Sequence, residues 1–147
     1  MISTRQFALM FGVVYVLVGV LGFVPGINQP PPAGSPPLVV DSFYAFLLSL
    51  FAINLLHNLF HLVVGALGIA VHNSEASARL YCRVVAIVFL LLTVFGLLPV
   101  LNTTFGLIPL FGLDLALHAV TAVALAYFGW VVTPVARIGS AQPSRSM

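Results

Sequence analysis

Lysine is absent from this chain, cysteine occurs once, and five arginines and three acids are its formally charged side chains. Charged residues make up 5% of the sequence, against about 25% in a soluble domain. A water-facing surface over a buried core is therefore excluded. The single cysteine, Cys82, rules out an internal disulfide and a thiolate metal cluster; in so apolar a setting it reads as a buried, inert thiol. No glycine-rich run is followed by Lys and Ser/Thr, so a phosphate-binding nucleotide loop is excluded too. The net charge of +2 is too small to suggest a nucleic-acid partner. What the chain has is apolar residues: 61% of 147, with a mean hydropathy of +1.18.

Crossing the hydrocarbon of a bilayer takes about 20 mostly apolar residues in a helix. Residues 7–24, 43–71, 80–101 and 113–132 meet that requirement. A membrane β-barrel would show short alternating segments instead. The expected fold is all-α, a four-transmembrane-helix bundle, and the lipid bilayer is its first partner. The first run is too long for a signal-peptide core and lacks a small-residue cleavage site, so it counts as a span. One membrane domain, residues 1–133, is followed by a polar tail, residues 134–147, read as disordered. All five arginines (Arg5, Arg79, Arg83, Arg137, Arg145) fall on one side of this topology. The positive-inside rule places that side, and both termini, in the cytoplasm. Tyr81, Tyr127 and Trp130 lie near the same face, as an aromatic belt would.

The run of residues 43–71 would make a helix about 43 Å long against a hydrocarbon core of about 30 Å. It must tilt, kink or protrude. Before it, "INQPPPAGSPPLVVD" carries five prolines and reads as a stiff, extended connector. After it, "HNSEASAR" forms a polar turn, with Glu75 solvated and His72 interfacial. The Asn-Thr-Thr at residues 102–104 matches a glycosylation acceptor, a weak three-residue pattern. A faint repeat runs through the chain. Arg5, Gly22 and Pro25 match Arg79, Gly96 and Pro99 at a constant offset of 74. "HNLFHLV" aligns with "DLALHAV", setting His57 against Asp114 and His61 against His118. Two tandem parallel hairpins would produce this pattern.

Asn54, His57, Asn58 and His61 follow the i, i+3, i+4, i+7 spacing of one helical face. Polar groups facing lipid would lack hydrogen-bond partners, so the stripe must face the protein. Asp114 and His118 are four apart on the last span and share a face at similar depth. A carboxylate within a membrane is costly unless paired. An Asp114–histidine hydrogen bond would satisfy both groups and set the histidine tautomer. Spans two and four are expected to meet through these six residues, with Tyr15 and Thr93 able to contribute.

The "NLLHNLFHLVVGALGIA" and "GLDLALH" segments, with "GVVYVLVGVLGFVPG" in the first span, resemble a family of small bacterial four-helix membrane proteins recorded as a domain of unknown function. The resemblance extends to about residue 132. It implies the fold, the importance of the polar stripe, and a bacterial inner membrane or a comparable energy-transducing one. It implies no activity.

Several roles fit the cluster. Hydrogen bonds among Asn54, His57, Asn58, His61, Asp114 and His118 would hold helices two and four together, in an accessory or structural module that packs against itself or a larger complex. Alternatively, His57, His61 and His118, with Asp114, have the composition of a metal site. One or two of the histidines could instead ligate a haem or chlorophyll. A proton or small-solute path is a third reading. Nucleophilic catalysis would need a Ser or Cys beside a base, and the stripe has neither, so the reading leans away from an enzyme.

Overall fold

Ser3 starts the first helix: its hydroxyl accepts the Gln6 N–H at 3.2 Å, while Gln6 Oε1 accepts the Ser3 N–H at 3.0 Å. This reciprocal cap satisfies donors that a helix end would leave bare. In the computed structural model, which describes residues 2–132, helix α1 runs Thr4–Leu21, α2 Leu55–Val71, α3 Glu75–Leu97 and α4 Leu113–Ala126. A single π turn, Tyr127–Val131, continues α4. Three short strands, β1 (Asn28–Gln29), β2 (Ala45–Leu47) and β3 (Phe51–Ile53), form an antiparallel sheet in the order β1-β2-β3 between α1 and α2. Helices α1, α3 and α4 with its π turn are long and apolar enough to cross a membrane. The fold is a mostly helical, four-helix bundle of a membrane protein.

The second span is shorter than expected. Residues 43–54 are not helical; α2 has 17 residues, about 25 Å of helix. Phe43, Leu48 and Ser49 have positive φ (57°, 53° and 63°), a conformation that ends any regular helix. The backbone here pairs as a hairpin instead, Ala45 opposite Ile53 and Leu47 opposite Phe51. A buried strand and a buried helix are equally apolar, so hydropathy could not separate them. The other boundaries move by a few residues: α1 and α3 begin earlier than 7 and 80 because Ser3 and Ser74 cap them and draw polar residues into the first turn. The tail, residues 134–147, lies outside the described residues, as do Arg137 and Arg145.

The helices pack as two antiparallel hairpins, α1 on α2 and α3 on α4. In the first, Gly12 faces Gly65 so closely that a Cβ on Gly12 would lie 2.6 Å from the Gly65 carbonyl oxygen, and one on Gly65 2.6 Å from the Val16 nitrogen. Only glycine permits this approach. The faint repeat reappears as burial. Thr4, Ala8, Gly12 and Tyr15 are buried on α1, and their counterparts Ala78, Cys82, Ala86 and Phe89 on α3. His57, His61, Val64, Gly65 and Gly68 on α2 correspond to Asp114, His118, Thr121, Ala122 and Leu125 on α4, all buried. The two hairpins thus bury the same register.

The ends of the bundle differ. At one end, Arg5 Nε donates to the His72 carbonyl and Arg83 Nε to the Gly129 carbonyl, both at 2.8 Å; Arg79 donates to the Val132 carbonyl. Cations here satisfy the last carbonyls of α2 and α4 and complement their dipoles. Glu75, expected to be solvated, pairs with Arg79 at 3.4 Å. Tyr127 and Trp130 are about half exposed at this end, whereas Tyr81 is a core residue and not part of a belt: it is buried and donates to the Val64 carbonyl at 2.8 Å. At the other end, the sheet and residues 98–112 form a lid. The proline-rich connector folds into it, the Val39 N–H donating to the Gly106 carbonyl at 2.9 Å and the Tyr44 hydroxyl to the Pro36 carbonyl at 3.0 Å.

Candidate functional site

Beneath the lid, α2 and α4 both begin. His57 is the third residue of α2 and Asp114 the second of α4, so one turn further carries each helix to His61 and His118. All four side chains are buried, with at most 4% exposure. The ring centroids of His57 and His61 lie 4.4 Å apart, and those of His57 and His118 5.7 Å apart. One ring nitrogen from each of the three histidines lies within 4.8 Å of the others. Asp114 Oδ2 approaches His118 Nδ1 at 3.4 Å, an ion-pair distance whose geometry is not that of a hydrogen bond.

Aromatic edges wall this cluster. Tyr15 meets His61 edge-on at 5.1 Å, and Phe89 meets His118 in the same way at 5.1 Å. The Tyr15 hydroxyl donates to Thr121 Oγ1 at 3.2 Å, tying α1 to α4 beside the site. Thr93 takes no part, because its hydroxyl bonds back to the Phe89 carbonyl at 2.8 Å.

The six residues expected to meet do not all do so. Asn54 is no part of a helical face. It is the N-cap of α2: its Oδ1 accepts the His57 N–H at 3.0 Å, while its Nδ2 donates to the Val40 and Leu107 carbonyls at 2.8 and 2.6 Å. Asn58 turns toward α1, where a Cβ on Gly22 would collide with its carboxamide. The remaining four, His57, His61, Asp114 and His118, share the centre. The capping role was available in the sequence, since Asn before an apolar helix is a start signal; the straps to Val40 and Leu107 were not, because they join loops distant along the chain.

The chemistry of the cluster lies in its unpartnered atoms. Both ring nitrogens of His118, Nδ1 of His61 and Oδ2 of Asp114 are buried without a hydrogen-bond partner in the protein, and the His57 nitrogens make no bond of good geometry, although the ring lies beside the Ala52 backbone. Each such atom costs about 1–3 kcal/mol, and native interiors hold few of them. Here they converge. Imidazole nitrogens and a carboxylate oxygen are the donor set of zinc-type and copper-type ions. Bonds of about 2.0–2.1 Å in a tetrahedron bring ligand nitrogens to about 3.3 Å from one another. The rings stand wider by about 1.5 Å at most, which small side-chain rotations cover. Both α2 and α4 begin here, with Asp114 in the first turn of α4.

A protein-family model described as a domain of unknown function (DUF4383) matches residues 5–131. No curated protein and no solved structure matches the chain.

Proposed function

The chain belongs to this family of unknown function, and from its site we propose that it is a membrane protein that binds one zinc-type or copper-type ion through His57, His61 and His118. The single supporting observation is the convergence of three buried histidines whose ring nitrogens lie within 4.8 Å and make no protein hydrogen bond of good geometry at His57 and His118. Asp114, beside Nδ1 of His118, orients that ring and leaves its other nitrogen for the ion, or closes the coordination sphere as a fourth ligand. The same convergence argues against pure structural glue, which needs hydrogen bonds from one helix to the other. A haem or chlorophyll fits less well, because Tyr15 and Phe89 already pack edge-on against His61 and His118.

The arginine end faces the cytoplasm in this reading, by the positive-inside rule, and the lid faces the opposite side of a bacterial inner membrane. The small bundle serves as an accessory subunit rather than as an enzyme. Co-purification with a larger partner in mild detergent supports that role; solitary behaviour in several detergents refutes it.

The test of the site is elemental analysis of purified protein loaded with Zn²⁺, Co²⁺ or Cu⁺ and then desalted. One ion per chain is expected, lost when His57, His61 and His118 are all changed to Ala. A correctly folded wild-type protein that retains none of the three ions overturns the proposal.

A further inference from the structure

The cluster lies much nearer one end of the bundle than the other. His57 is three residues past Asn54, while α2 continues for fourteen more to Val71, about 21 Å. That longer path is filled by Val64, Tyr81, Cys82, Val85 and Leu125, all buried and packed together. On the short side stands the lid, which is irregular backbone. All the described non-glycine residues with positive φ, Phe43, Leu48, Ser49, Thr104 and Phe105, belong to its two loops. Such conformations store strain and persist only where surroundings hold them. One side chain grips both loops. Asn54 Nδ2 donates to Val40 and to Leu107, while its Oδ1 holds the His57 N–H. Asn54 is itself fully buried.

We infer that Asn54 is a latch: metal ions enter and leave the histidine cluster through the lid, and the two hydrogen bonds from Asn54 to Val40 and Leu107 set the rate of that exchange. The inference rests on the metal-binding reading of His57, His61 and His118. Asn54 touches no ion and is a positioning residue. Its bonds join the loop before β2, the loop before α4 and the first turn of α2 at one point. Releasing the two carboxamide bonds frees both loops from the start of α2 without moving a ligand, while the Val39 and Val40 N–H bonds to the Gly106 carbonyl keep the loops joined to each other. A serine at this position still caps α2 by accepting the His57 N–H, yet cannot reach both carbonyls as donor. The consequence is kinetic: entry and exit speed up together, and the equilibrium affinity stays nearly constant.

The experiment uses the full chain loaded with Co²⁺ and reconstituted in vesicles. Ala33→Cys, on the exposed tip of the connector, is labelled with an impermeant thiol reagent to sort lid-out from lid-in orientation. Release of Co²⁺ to external EDTA is then followed by absorption. Lid-out vesicles should lose the ion and lid-in vesicles should keep it. Asn54→Ser should release it about tenfold faster or more, as the loss of two buried hydrogen bonds implies, with stoichiometry unchanged and Kd within about threefold. Asn54→Ala, which also loses the helix cap, should release at least as fast. Release from lid-in vesicles, or an Asn54→Ser rate equal to wild type, overturns the latch while leaving the metal site standing. Faster release matched by an equal loss of affinity assigns Asn54 a merely structural role and also overturns it. A wild-type chain that takes up no Co²⁺ overturns both readings.

Discussion

His57 and His118 bring their ring centroids within 5.7 Å, although each sits on a helix that packs chiefly against a different neighbour, α2 on α1 and α4 on α3. The imidazoles therefore reach across the centre between two hairpins rather than lining a tight helix seam. A site at such a junction is completed only when both hairpins are in place, each contributing half of the ligand set.

Asp114 tests how the site is oriented. Asp114→Asn keeps the shape of the side chain and removes the carboxyl group, whose Oδ2 lies 3.4 Å from His118 Nδ1. Loss of a carboxylate behind a metal-binding histidine lowers affinity by about 10–100-fold. Competition titration of Zn²⁺ should show that drop, with the helical circular dichroism unchanged. An unaltered affinity would remove Asp114 from the site.

Acid should empty the site. A nitrogen that binds a metal ion needs its lone pair, so protons compete with the ion at each histidine. Affinity is highest where all three imidazoles are neutral and falls once the pH is low enough for the buried rings to take up protons. The slope of log affinity against pH counts the protons displaced. An ion retained at every acidic pH that the fold survives would mean that His57, His61 and His118 are not the ligands.

The glycine contact between α1 and α2 is predicted to be intolerant of a single methyl group. Gly65→Ala places a Cβ within 2.6 Å of the Val16 nitrogen and 2.7 Å of the Gly12 carbonyl oxygen, and backbone cannot rotate away as a side chain does. The helices must separate, at a cost of about 1–3 kcal/mol. Thermal denaturation in detergent should show a lower Tm for Gly65→Ala. Gly26→Ala makes a useful contrast: a Cβ there meets nothing, and only the positive φ of 91° opposes it.

Arg83 anchors the π turn. Its Nε donates to the Gly129 carbonyl, and its guanidinium lies over the Trp130 ring at 5.7 Å from the centroid. Arg83→Ala should destabilise the bundle by about 1–2 kcal/mol and shift the fluorescence of Trp130, the chain's single tryptophan. Arg83→Lys should rescue it poorly, because an ammonium cannot stack in the same planar manner. Identical spectra for wild type and Arg83→Ala would place Trp130 elsewhere.

Much of this molecule could be read from residue order. Four long apolar runs foretold four helices, and the offset between Arg5 and Arg79 foretold two hairpins that bury matching residues. Hydropathy failed at residues 43–53, where apolar content is high but the chain is a hairpin that forms part of the lid. Spacing misled at Asn54, which caps α2 instead of joining its face, and at Asn58, which is on α2 but lies against Gly22. One non-helical residue rotated Asn54 out of the stripe, and the nearness of Gly22 on α1 drew Asn58 to another neighbour.

Residue order by itself determined the solvent of this protein, because a surface with so few charges can face only hydrocarbon, and it determined which side chains would shun that hydrocarbon. Which of those side chains meet was decided by tertiary structure alone. Helical periodicity sets the face a residue occupies on its own helix, but the distance from His57 and His61 to His118 depends on how two hairpins sit against each other, and that follows from contacts between them, such as Tyr15 with Thr121 and Tyr81 with Val64, and from the span of the lid loops.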